Sequence, residues 1–187
     1  MRRLTGQPGQ LRWGVLGAAA ATVLSGCGLI GGPSTVQLDV PNIITVTSPD
    51  VNNGVMSAMY TCRGRSEHPG LHWSGVPQGT KSIAVVMDDS AAPISPYIYW
   101  IVFDIGPQTT DIQPGTLPVG AREAVNSNDK EGYAAPCPRN ETHSYRFTVY
   151  ALGKMLSPHV GTGLKSAWWA IAQNAIARGR LPVNVDP

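Results

Sequence analysis

The first reactive group in the chain is a thiol. Cys27 closes the run Leu24-Ser25-Gly26-Cys27, whose small residues leave the sulfur accessible for acylation, and the stretch resembles the bacterial lipobox. Ahead of it, Arg2, Arg3 and Arg12 form a positive region with no acidic residue, followed by the apolar run 13–24. That run is shorter than the roughly 20 residues a helix needs to span a bilayer. Residues 1–26 therefore read as a lipoprotein signal peptide and Cys27 as the lipidation site, palmitate included. Residues 27–36, with Gly31-Gly32-Pro33, read as a flexible tether. Two or more acyl chains, at about 0.8 kcal/mol per buried methylene, hold a protein on a membrane stably. The expected location is export followed by anchorage to the bacterial cell membrane.

Other reactive spacings are missing. The chain has no Gly-x-Ser-x-Gly elbow, no His-Glu-x-x-His helix and no Gly-x-x-x-x-Gly-Lys loop. Gly161-Thr162-Gly163 lacks the third glycine and the preceding strand of a nucleotide loop. His68 and His72 are four residues apart, but Pro69 and Gly70 between them deny the shared helix face that a metal pair would use. No metal and no cofactor are expected. Of the 187 residues, 14% are charged and the formal net charge is +2. Removing Arg2, Arg3 and Arg12 leaves 11 bases against 12 acids, so the mature chain has no positive excess with which to attract nucleic acid.

The elements that must position any site read as strands. From Val36 on, short apolar runs alternate with turn clusters, the pattern of a mainly β domain over residues 37–187. Val36, Leu38 and Val40 alternate, and Ile43, Ile44 and Val46 follow a Pro-Asn break. Asn52-Asn53-Gly54 marks a turn, residues 55–62 a strand, and 75–79 another turn. The run 83–87 is continuously apolar and suits a strand buried on both faces; residues 97–105 form another. In 143–152, His143, Tyr145, Phe147 and Val149 share one face, and Ser144, Arg146, Thr148 and Tyr150 share the other. One helix is expected, capped by Thr162, with Leu164, Ala167, Trp168, Ile171, Ala175 and Ile176 at helical spacing and Gly179 as its stop.

Three ordered segments remain: Tyr60-Thr61-Cys62-Arg63-Gly64 running on to Pro69-Gly70-Leu71-His72-Trp73-Ser74-Gly75-Val76-Pro77; Val86-Met87-Asp88-Asp89-Ser90-Ala91-Ala92-Pro93 with Tyr99-Trp100; and Gly132-Tyr133-Ala134-Ala135-Pro136-Cys137-Pro138 with His143-Ser144-Tyr145-Arg146-Phe147. In this order they resemble the phosphatidylethanolamine-binding protein family, in its bacterial Raf kinase inhibitor-like branch, over roughly residues 49–181. The resemblance implies a Greek-key antiparallel β-sandwich of two sheets, with peripheral short helices, a C-terminal helix and a small anion-binding pocket at one end. Carried over by position, that pocket comprises Asp89, Ala92, Pro93, Tyr99, Trp100, Ala135, Pro136, His143 and Tyr145. The strand reading is consistent with this, since His143 and Tyr145 share a face and Asp89 follows the apolar run 83–87. An imidazole beside a carboxylate donates a charge-assisted hydrogen bond to phosphate or carboxylate, and a tyrosine hydroxyl adds a neutral donor. As single residues, Trp73 and Trp100 read as core.

The chain departs from the family pattern. Ser90 and Ala91 replace the Pro and second Asp of the acidic segment, Tyr99 stands where a His is expected, and Ser144 where an Arg follows the His. Asn174 stands near another family histidine in the last helix. The site keeps one titrating cation, His143, which predicts weaker binding of phosphate dianions. With Cys27 acylated, Cys62 and Cys137 remain as an even pair flanking the pocket in a disulfide-permissive compartment, and a bridge between them is expected. The leading functional expectation is a membrane-tethered, non-enzymatic protein binding a small anionic ligand or phospholipid headgroup. The alternative is inhibition of a protease, kinase or host protein through surface loops such as 111–122 or 123–131. An enzyme using Asp89 and His143 finds no placed nucleophile.

Overall fold

The computed structural model describes residues 39–89, 97–157 and 162–187. The signal peptide 1–26, Cys27, the tether 27–36, Val36, Leu38 and the expected pocket residues Ala92 and Pro93 lie outside the described residues.

Among the described residues, ten strands and one α-helix follow in the order β1 (Thr45–Thr47), β2 (Val51–Asn52), β3 (Val55–Met56), β4 (Leu71–Ser74), β5 (Ser82–Asp89), β6 (Ile98–Ile105), β7 (Asp111–Ile112), β8 (Arg122–Glu123), β9 (His143–Leu152), α1 (Leu164–Asn174) and β10 (Ala175–Val185). A seven-stranded sheet runs β2-β3-β10-β9-β5-β6-β8, and a three-stranded sheet runs β1-β4-β7. The pairings are antiparallel except for β10 with β3, which is parallel.

Alternation along the central strands feeds two cores. Ile83, Val85 and Met87 of β5 join Tyr145, Phe147, Val149 and Ala151 of β9 in the core shared with Val46, Leu71 and Trp73 of the small sheet. The intervening Ala84 and Val86, with Tyr150 and Leu152, pack with Ala167 and Ile171 of α1 on the other face. β5 is thus buried on both faces, as its unbroken apolar run predicts. Each of the fully buried Phe103, Phe147 and Ile83 contributes about 1.5–3 kcal/mol by leaving water.

The expected turn at Asn53-Gly54 is present, with φ of 50° and 79°, and it closes the β2–β3 hairpin. The expected strand 55–62 stops at Met56. Ser57 Oγ then accepts from Met59 N at 3.3 Å and starts a 3₁₀ turn over Ala58–Tyr60, fixed by Tyr60 Oη donating to Asp50 Oδ1 at 3.0 Å.

The expected helix forms near the C-terminus with different ends. Its N-cap is Gly163 rather than Thr162, whose carbonyl instead accepts from Val125 N at 2.7 Å. It ends at Asn174, so Ala175 and Ile176 are strand residues, and Gly179 lies inside β10 rather than at a helix stop. Gly179 is required there by a close approach: a Cβ on it would sit 2.0 Å from the Ile44 carbonyl oxygen.

Candidate functional site

Three strand ends build the site. β5 ends at Asp89, β9 begins at His143, and Tyr99 is the second residue of β6; the ladder sets Asp89 opposite Tyr145. His143 Nδ1 lies 3.3 Å from Asp89 Oδ2, with the carboxylate side chain 11% and the imidazole 39% exposed. A shielded carboxylate facing Nδ1 orients the ring so that Nδ1–H points to it and Nε2 remains for a ligand.

The Tyr99 and Tyr145 rings meet edge to face at 5.1 Å, and Tyr145 lies 6.1 Å from the His143 ring. Burial raises the pKa of both phenols, so both stay neutral. A side-chain hydrogen bond between them lowers that of Tyr99 and raises that of Tyr145, a smaller effect than burial in both.

Tyr99, His143 and Tyr145 line a cavity of about 290 Å³ with Cys137, Pro138, Arg139, Asn140 and Glu141; Asp89 is not among the lining residues and reaches the site through His143. Hydrogen bonds hold this wall in place: Ala134 N donates to Tyr99 O at 2.8 Å, Cys62 N to Pro136 O at 3.2 Å, and Tyr133 Oη to Tyr60 O at 2.8 Å. The disulfide Cys62–Cys137, with Cα atoms 5.3 Å apart, ties it to the 3₁₀ turn. The expected pairing of these cysteines is therefore present. Chemically, an oriented imidazole, a phenol and an exposed guanidinium around one small opening can receive an anion.

Asp89, Tyr99, His143 and Tyr145 come together here. Ala135 and Pro136 stand behind the wall and are not among the lining residues. Trp100 is fully buried and does not line the cavity: its ring stacks on His68 at 4.5 Å, and its Nε1 donates to Glu123 Oε1 at 2.6 Å. Asn174 is remote, at the end of α1, where its carbonyl accepts from Gly153 N just past the far end of β9. Arg139 escaped sequence reasoning, although its place two residues after Cys137 in the proline loop signals it. A larger hollow of about 540 Å³, lined by 73–80 and 107–110, lies at the opposite strand ends and carries no charged side chain.

Two sheets packed face to face, with a small polar cavity at one set of strand ends, define a mainly antiparallel β-sandwich. The profile of the family described as phosphatidylethanolamine-binding protein matches residues 47–186, and the chain belongs to that family. It is 35% identical over 184 residues to a Mycobacterium tuberculosis protein named "Putative lipoprotein LppC", covering 88% of this chain and 90% of that one. It is 32% identical over 135 residues to the UPF0098 protein of Methanothermobacter thermautotrophicus, covering 70% and 89%. Among solved structures it matches Escherichia coli YbcL, a member of the same family, with a TM-score of 0.70 at 28% identity. That match takes in 99% of the YbcL chain and 78% of this one.

Proposed function

We propose that this protein is a membrane-anchored lipoprotein that binds a small anion or phosphate-bearing headgroup without chemical turnover. The observation that carries this is His143 on the wall of the 290 Å³ cavity, 3.3 Å from Asp89 behind it, with Tyr99 and Arg139 on the same wall. The carboxylate orients the imidazole, and the phenol and guanidinium supply a neutral and a charged donor. No side chain placed as a nucleophile accompanies them among the described lining residues. The lipobox at Cys27 and the similarity to a protein named as a lipoprotein support anchorage.

Calorimetric titration with phosphoethanolamine, inorganic phosphate and sulfate tests the pocket. Sulfate keeps its charge between pH 5 and 8, so its binding reports the protein alone. His143→Ala is expected to weaken sulfate binding roughly tenfold to a hundredfold, the loss of one charged hydrogen bond. A preference for phosphoethanolamine over phosphate identifies a headgroup; the reverse identifies a free anion. Undiminished affinity in His143→Ala refutes the site. Retention of Cys27→Ala on membranes refutes the anchor.

A further inference from the structure

The charge of this chain is segregated along its length. Residues 143–185, which form β9, α1 and β10, contain five Lys and Arg and no Asp or Glu, although the mature chain carries one more acid than base. On β10 Ile176 and Arg180 are exposed and Arg178 is half-buried between them, with its Nε shielded, the three alternating with the buried Ala177 and Gly179. Arg180 is exposed, and burial together with repulsion from Arg146 and Arg178 lowers its pKa, so the three guanidiniums feel one another across the face. Arg146 is partly neutralised by Asp88, to which its Nε donates at 3.1 Å.

Apolar groups border this basic row. Trp169 is 53% exposed, Met155 48% and Ile176 38%. Trp169 and Met155 line one groove with Lys154, and Ile176 follows that groove's Asn174 by two residues. Exposed Trp and aliphatic side chains beside Lys and Arg are the composition of surfaces that rest in the headgroup layer.

The anchored segment joins the fold at this strand. Arg178 N donates to Pro41 O at 2.9 Å and Ile43 N to Arg178 O at 3.0 Å, so the described chain begins alongside β10. Cys27 precedes Asp39 by so few residues that even full extension reaches only about 40 Å.

From these observations we infer that the outer face of β10 and the exposed ridge of α1 dock on an anionic lipid surface, with Arg180 and Lys154 at the phosphates and Trp169, Met155 and Ile176 in the interface. The orientation rests on the anchorage reading; the affinity of the face for lipid does not.

The test uses the chain from Gly28 onward, without acyl groups, which keeps the whole family match over residues 47–186. Co-sedimentation with phosphatidylcholine vesicles containing phosphatidylglycerol is expected to show binding that pure phosphatidylcholine does not support and that half-molar salt removes. Arg180→Gln is expected to weaken it about fivefold, one basic residue at about 1 kcal/mol near an anionic surface. Trp169→Ala, on an exposed position that folding does not need, is expected to weaken it by a similar factor. In the acylated protein on vesicles of brominated lipid, Trp169 fluorescence should be quenched only when phosphatidylglycerol is present. Equal binding to both vesicle types, or binding indifferent to both substitutions, overturns the proposal. Detachment of the full chain while the unacylated domain still binds would instead fault the anchor.

Discussion

Removing the Cys62–Cys137 bridge tests how much of this domain's stability resides in its unfolded state. The two cysteines are 75 residues apart, and closing a loop of that length removes chain entropy worth about 4.5 kcal/mol at 25 °C in the loop-closure relation. Both cysteines are exposed, so Cys62→Ser with Cys137→Ser leaves hydroxyls that water satisfies. The surrounding wall keeps its other ties, from Cys62 N to Pro136 O, Ala134 N to Tyr99 O and Tyr133 Oη to Tyr60 O. The native state should therefore change little while the unfolded chain expands. Urea denaturation followed by fluorescence of the buried Trp73 and Trp100 is expected to give a stability lower by about 4 kcal/mol and a larger slope on denaturant. The double variant should match wild type unfolded under reducing conditions. A loss below about 1 kcal/mol at unchanged slope would refute the argument, because it would mean that the 75-residue loop was already constrained without the bond.

Gly179→Ala puts a methyl group 2.0 Å from the Ile44 carbonyl oxygen. It should cost about 1–3 kcal/mol by overpacking, read as a lower urea midpoint. Asp104 is buried at φ 59° and accepts from Leu156 N at 2.7 Å and Ser157 N at 2.9 Å. Asp104→Ala orphans both donors at a cost of about 2–4 kcal/mol, while Asp104→Asn, which keeps an acceptor and tolerates positive φ, should lose less than half of that in the same assay. Burial holds the pKa of His68 below its ordinary 6.5, so the folded state resists its protonation and the unfolded state does not. Stability from this group is present above pH 6.5 and falls as the pH drops below it, and His68→Phe, which keeps the stack on Trp100, should flatten that part of the pH–stability profile.

The central strands were legible because each rests on a local signal, and the bridged cysteines because they are the pair that remains once Cys27 is acylated. β5 is an unbroken apolar run with both faces buried, β9 alternates over ten residues, and Asn53-Gly54 carries the positive φ of a tight hairpin. What stayed hidden depends on distant partners. β10 continues from α1 without a break in apolar spacing, so Ala175 and Ile176 fit a helical period as well as a strand. Its Gly179 and Pro182 argue against a strand in isolation, and only the Ile44 carbonyl explains the first. β4 spans four residues, too few for alternation to stand out. At the site, Asp89, His143 and Tyr145 follow from strand ends, whereas Arg139 enters the cavity wall through a loop whose path is set by the disulfide and by Ala134 bonding to Tyr99.

The place of β10 in the large sheet also dictates an order of assembly. Every other strand precedes it in the chain, yet it lies between β3 and β9 and contributes Ala177, Val183 and Val185 to the core between the sheets. A chain emerging N-terminus first presents β5, β6 and β9 with their apolar faces uncovered and no means of closing the sheet until residues 175–185 arrive. Until this strand is made the central strands keep apolar surface uncovered, the state in which folding intermediates aggregate, so completion of the sandwich waits on β10.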